Sequence, residues 1–145
     1  MSPYKLPISV LVVIYTRDKK VLLLERRDHP GYWQSVTGSC QSGETLAETA
    51  HREVLEETGL DTHRYVLVDW NMQNEYEIYS EWRHRYEPGV LRNKEHVFGL
   101  ELPETCPVQL NPREHLMFRW LTVEQAARAV FSPSNKAAIE QLVQH

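Results

Sequence analysis

Three glutamates, Glu53, Glu56 and Glu57, stand at i, i+3 and i+4, the spacing that places side chains on one face of a helix. Like charges so placed repel by roughly 0.2–0.5 kcal/mol per pair. They also sit late in their segment, where the helix macrodipole disfavours anions. A sequence that accepts both costs points to a compensating cation. Clustered carboxylate oxygens suit hard cations such as Mg²⁺ or Mn²⁺. A bare E-x-x-E-E fits a solvated acidic face with Arg52 and Arg64 nearby equally well.

The carrier of these acids reads as a helix over residues 45–58, with neither Pro nor Gly inside. Thr45 with Glu48 three residues on is a capping box. Gly59 suits the left-handed position that ends a helix. Ala47, Ala50 and Val54 form a narrow apolar stripe, and His51 is expected to face solvent. Before the helix, residues 8–15 read as a buried strand, 17–20 as a turn, 21–25 as its partner and 33–37 as a short strand, with 38–43 as a polar loop. After it, strands are expected at 65–70, 75–79, 82–86, 96–102 and 117–121. Residues 88–89 are expected to turn, 91–95 to form a loop and 103–112 to be irregular. Thr122 is placed to cap a helix over 123–130, and Ser132-Pro133 to open another reaching about residue 143. A mixed set of strands with one central and one or two late helices argues for α/β (α+β) layering.

The 145 residues suit one domain, 1–145. A net charge of −4 offers no general basic field for a nucleic-acid backbone. Trp82 with Arg83-His84-Arg85-Tyr86 is a basic-aromatic cluster, readable either as a phosphate contact or as an exposed strand face. Cys40 and Cys106 suggest free thiols and no disulfide framework. The early apolar run, residues 10–15, falls far short of the ~20 residues of a membrane helix. No signal-peptide pattern surrounds it. A cytoplasmic protein with no membrane or nucleic-acid partner is expected, and a monomer is compatible with everything here.

The wider pattern is more specific than its acids. Gly38, Glu44, Arg52, Glu53, Val54, Glu56, Glu57, Gly59 and Leu60 stand at the spacing G-x5-E-x7-R-E-apolar-x-E-E-x-G-apolar. At average residue usage, a chance match in a chain of this length is on the order of 10⁻⁷. This segment, residues 38–60, resembles the box of the Nudix family. The resemblance implies the Nudix fold, a mixed β-sheet sandwiched between helices. It also implies divalent-metal-dependent hydrolysis of a diphosphate linked to another group. By position, Glu53 and Glu57 would ligate metal and Glu56 would ligate or assist through water. Glu44 would join the acidic cluster, Arg52 would orient it by ion pairing, and Gly38 and Gly59 would serve the backbone at either end. The family carries one more acid before a late strand, and Glu114 fits it as a third ligand or general base. A triphosphate brings about four negative charges, so two or three Mg²⁺ ions are expected between it and the glutamates.

Outside the box, Ser35-Val36-Thr37-Gly38-Ser39 departs from the Leu-Pro-Gly-Gly of many members. The stretches Arg26-Arg27-Asp28, Trp33-Gln34, Glu77-Ile78-Tyr79-Ser80, Arg92-Asn93 and Ser134-Asn135 instead are similar to a bacterial branch. That branch removes pyrophosphate from 7,8-dihydroneopterin triphosphate in folate biosynthesis, leaving the monophosphate. On that resemblance Lys5, Arg26, Thr37, Tyr76, Glu77, Ile78, Tyr79 and Ser132 would contact substrate. Lys5 and Arg26 suit phosphate, and Tyr76 or Tyr79 suits stacking on a flat ring. Strand packing accounts for one face of 76–80 without any ligand. Two alternatives stay open: the same chemistry on standard or damaged nucleoside triphosphates, and a Nudix domain kept as a non-catalytic binding module.

Overall fold

The computed structural model describes residues 3–144, so the first two and the last residue of the expected 1–145 unit lie outside it. Seven strands form one mixed sheet: β1 (Ile8–Thr16), β2 (Lys20–Arg26), β3 (Trp33–Gln34), β4 (Val36–Ser39), β5 (Val66–Glu77), β6 (Arg92–Leu102) and β7 (His115–Thr122). Helix α1 is Leu46–Thr58, α2 is Val123–Ala129 and α3 is Pro133–Glu140. Short 3-10 turns occupy Thr62–Arg64, Ser80–Arg85 and Gln141–Gln144.

Strand β1 is central because its side chains are apolar on both faces. Val10, Val12 and Ile14 join Leu22, Leu24, Leu100, Ala50 and Val54 under α1. Leu11 and Val13 join Val21, Leu23, Ala126 and Ile139 under α2 and α3. That is the period-2 alternation of a strand covered on both sides, and it yields the expected helix–sheet–helix layering. β1 runs parallel to β6 along its whole length, from Ile8↔Lys94 to Thr16↔Leu102. On its other edge it pairs with β4 at Ser9 through Val12, and with β2 only at Tyr15↔Val21. β2 pairs instead with β7 and β3. The sheet therefore forks beside β1.

The helix signals hold. Thr45 and Glu48 close the capping box, and Gly59 ends α1 at φ 77°. Thr122 caps α2 with Gln125, and Ser132 caps α3 ahead of Pro133. α2 stops at Ala129, one residue short of expectation. α3 gives way after Glu140 to a 3-10 turn, in place of one helix to 143. Ala47 is exposed, and Thr49 joins Ala50 and Val54 on the buried side of α1.

Four expectations are corrected. The strands read at 65–70 and 75–79 are one strand, β5, kept in register with β6 by a bulge between Asp69 and Met72, where Asn71 takes φ 54°. Residues 91–95 are mostly strand, because β6 begins at Arg92. Residues 82–86 are not a strand but largely a 3-10 turn, in which Arg83 Nε donates to the Ile78 carbonyl at 3.0 Å. Residues 33–37 split into β3 and β4, and β4 continues through Gly38 and Ser39, which were expected in the loop. Cys40 and Cys106 are free thiols, as expected.

Candidate active site

The end of β4, the loop after it and α1 bring the box together. Arg52 is the clamp. Its Nε donates to Glu44 Oε2 at 2.8 Å and its Nη2 to Glu44 Oε1 at 3.0 Å, a bidentate pair reaching back across the loop. Nη2 also donates to the Ser39 carbonyl at 3.0 Å, and Nη1 to Glu53 at 2.5 Å and to Glu56 at 3.4 Å. One guanidinium thus ties strand end, loop and helix. Gln41 N–H and the Thr49 hydroxyl add bonds to Glu44 Oε1. Hydrogen bonds from Arg52 above all hold the Glu44 carboxyl down at about 2. The glycine at position 38 leaves room for the Glu53 carboxyl, which a Cβ there would overlap and displace.

Glu57 is 2 % exposed, and its Oε1 has no hydrogen-bond partner. Burial, then hydrogen bonding and charge from Glu53, then the charge of Glu114, push its carboxyl well above the ordinary range. The nearest basic side chain is no counter-ion. His115 Nε2 lies 3.8 Å away, but burial and then the charge of Arg26 hold that imidazole down at about 4. Glu114 follows β6 at the cleft rim. Its carbonyl accepts from Arg27 N–H at 2.9 Å, which straps the loop to the end of β2. Desolvation and the charges of Glu53 and Glu56 raise its carboxyl. A buried carboxyl with one unpartnered oxygen, facing two more acids, is a fit for divalent metal, with an all-oxygen donor set that suits a hard cation. Glu53, Glu57 and Glu114 would hold it. Arg52 reaches Glu53 and Glu56, but the last turn of α1 has no basic residue to relieve Glu57.

Glu53, Glu57 and Glu114 line a cleft of about 1540 Å³ that opens at the fork in the sheet. Glu44 and Glu56 do not line it; Glu44 acts from behind through Arg52, and Glu56 points out from α1. All eight residues expected to meet substrate do line it. Lys5 is held below its ordinary range by desolvation and by the charge of Arg85. Arg26 is pinned by Asp28, with both bonds at 2.7 Å, and by Gln34 at 3.1 Å, and it lies 4.5 Å over the Trp82 ring. The Thr37 hydroxyl donates to the Val10 carbonyl. Tyr76 and Tyr79 are partly exposed, whereas Ile78 is buried and Glu77 pairs with Arg83 at 2.7 Å. Ser132 shares a 2.9 Å contact with Ser134.

Several cleft residues escaped the sequence reading. The buried Asn93 and Glu95, with the half-buried Asn74 beside them, form a polar wall; the first two were hidden because 91–95 read as loop. Trp82 joins Tyr79 and Phe131 in an aromatic group. The basic run 83–85 is not a strand face: Arg83 pairs with Glu77, and Arg85, which lines the cleft, pairs with Asp28. His51 does not face open solvent: its Nδ1 meets the Thr62 hydroxyl at 2.7 Å and its ring packs on His63.

Residues 5–142 match the NUDIX domain, and the chain belongs to the Nudix family, whose members use divalent metal. Its relatives are more particular. The chain is 49 % identical to the dihydroneopterin triphosphate diphosphatase of Escherichia coli over 97 % of this chain and 94 % of that protein. It is 43 % identical to the Haemophilus influenzae protein of the same name, over 97 % and 90 %. The solved structure of the E. coli dihydroneopterin triphosphate pyrophosphohydrolase superposes with a TM-score of 0.92 at 48 % identity, covering 99 % of both chains. Among the described residues no helix is long and apolar enough to cross a membrane.

Proposed function

We propose that this chain hydrolyses 7,8-dihydroneopterin triphosphate to dihydroneopterin monophosphate and pyrophosphate, with Mg²⁺ as its working metal and Mn²⁺ as a substitute. The supporting observation is the lining of one cleft. The acids Glu53, Glu57 and Glu114 share it with the cations Lys5 and Arg26 and the aromatics Tyr76 and Tyr79. A polyphosphate and a flat ring each find matching chemistry there. The relatives that carry the same activity in their names span nearly the whole chain.

Bound divalent cations would neutralise the polyphosphate and supply an activated water. The chain's own residues do the positioning. Arg52 keeps Glu53 turned into the cleft while drawing Glu44 away from it, so the acids stand ready before any ligand arrives. Asp28 and Gln34 hold the Arg26 guanidinium flat against Trp82, fixing the direction in which its free edge meets phosphate oxygens. Glu114 closes the acidic cluster from the β7 side, as a third ligand or as the acceptor of the water proton. A non-catalytic binding module would gain nothing from a buried, uncompensated Glu57.

A panel of triphosphates, with the product identified, tests this. The pterin substrate is expected to lead the nucleoside triphosphates by at least about tenfold in kcat/KM, with pyrophosphate released in one step. A nucleotide ahead of the pterin by that margin, or stepwise orthophosphate, would overturn it.

A further inference from the structure

The polar wall of the cleft contains a carboxylate that the hydrolysis does not use. Glu95, on β6, is 4 % exposed, yet no Lys, Arg or His pairs with it among the described residues. Ser134 donates to its Oε1 at 2.9 Å. Burial pushes its carboxyl up, partly offset by Ser134 and Asn74. Asn74 is its partner across the β5–β6 ladder, and Asn93 lies two residues away on the same strand face, opposite Tyr76. Both amides are half used. Asn93 Nδ2 donates to Ser9 and to the Tyr76 hydroxyl, while its Oδ1 has no partner. Asn74 Nδ2 lies near enough to favour the charged form of Glu95 but closes no hydrogen bond. Buried polar atoms without partners cost about 1–3 kcal/mol each, and a native fold seldom keeps several together without a ligand to satisfy them.

The wall also stands at a useful distance from the acids. Ser9 of β1 is level with Glu95 on one side and with Ser39, next to Gly38, on the other. Two strand spacings, roughly 10 Å, therefore separate the Glu95 backbone from the end of the metal loop. That span suits a substrate whose phosphates lie over α1 while its ring reaches across β1.

Resting on the proposed function, we infer that Glu95 selects the ring of the substrate. Its carboxylate accepts the adjacent ring N–H and exocyclic amino group of a 2-amino-4-oxo pyrimidine edge, with Asn93 Oδ1 and Asn74 Nδ2 matching the polar atoms beside them. A pterin carries that edge and guanine shares it. Adenine, with an acceptor beside its amino group, does not. A site built on buried polar groups discriminates strongly, because the wrong ring leaves those groups unpaired.

The test compares wild type, Glu95→Gln and Glu95→Asp with dihydroneopterin triphosphate, GTP and ATP under Mg²⁺. Glu95→Gln is expected to lower kcat/KM for the pterin and for GTP by at least about thirtyfold, and to leave ATP within about threefold. Glu95→Asp keeps the charge one methylene further back and should shift the same two substrates, by less. An equal loss on all three substrates would reduce Glu95 to a structural residue, and an unchanged pterin rate would remove it from recognition; either result overturns the inference. A wild type that turns over the pterin no better than ATP overturns the proposed function instead. The GTP-to-ATP ratio in the two variants then still decides the role of Glu95.

Discussion

The carboxyl group of Glu53 lies so close against Gly38 that a side chain at position 38 would have to displace it. The two residues belong to different elements, β4 and α1, and their contact sets how far the acid enters the cleft. Gly38→Ala is therefore expected to displace Glu53. A misplacement on the 1 Å scale costs about a hundredfold in turnover, and overpacking adds about 1–3 kcal/mol of instability. Pyrophosphate release by a variant that still melts cooperatively checks this. Near wild-type turnover would show that Glu53 does not need its observed position.

Glu57→Gln separates the working role of this acid from its effect on the fold. The substitution removes a buried negative charge that has no counter-ion. Turnover should fall by at least about a hundredfold. In chelator, the melting temperature of the variant should equal or exceed that of wild type, because the unrelieved charge is gone. A variant that keeps its activity, or one that unfolds in chelator while wild type does not, would contradict the account given for Glu57.

Metal should act on stability as well as rate. Activity is expected to vanish in chelator and return with Mg²⁺ or Mn²⁺. Thermal melts of wild type should rise with added Mg²⁺, since saturation at a hundred times Kd is worth about 2.7 kcal/mol. The rise should shrink in Glu57→Gln. A chelator-insensitive enzyme would sink the divalent-metal reading.

The Arg52–Glu44 pair has a pH signature. Glu44 titrates at about 2 in the folded chain against an ordinary value of 4.5. The unfolded chain binds the proton first, so the contribution of the pair is complete above about pH 4.5 and is lost as pH falls toward 2. Melting curves of wild type and Glu44→Gln should differ most above about pH 5 and converge as pH falls to about 2. Parallel curves across that range would place the stabilisation elsewhere.

What the sequence revealed was local. The capping box at Thr45, the cap at Thr122 and the stop at Gly59 are set within a turn or two of helix and stand as read, whereas of the three acids Glu53 and Glu57 share the cleft and Glu56 points out of it. What it hid depended on distant partners. Asn93 and Glu95 broke the apolar period of β6 because they face a cleft and not the core, so a strand looked like a loop. Asn71 looked like the end of a strand, yet its left-handed backbone supplies the bulge that lets β5 continue. The run at 82–86 alternates like a strand, but it forms a 3-10 turn whose arginines reach Ile78, Glu77 and Asp28, contacts no local pattern signals. His51 held no signal of its contact with Thr62 and His63, because that contact needs the chain to turn back after Gly59.

The parallel ladder between β1 and β6 also sets an order of assembly. β1 is apolar on both faces and is synthesised well before its full-length partner, which starts only at Arg92. Long-range parallel pairing is slow, and unpaired apolar strands are prone to aggregate. The box helix can be capped and complete while Ile8–Thr16 still lacks its neighbour. Nascent chains halted before residue 92 are accordingly expected to require a chaperone or to precipitate, and protease resistance to appear in a single step only once α2 and α3 have also emerged to cover the second face of β1.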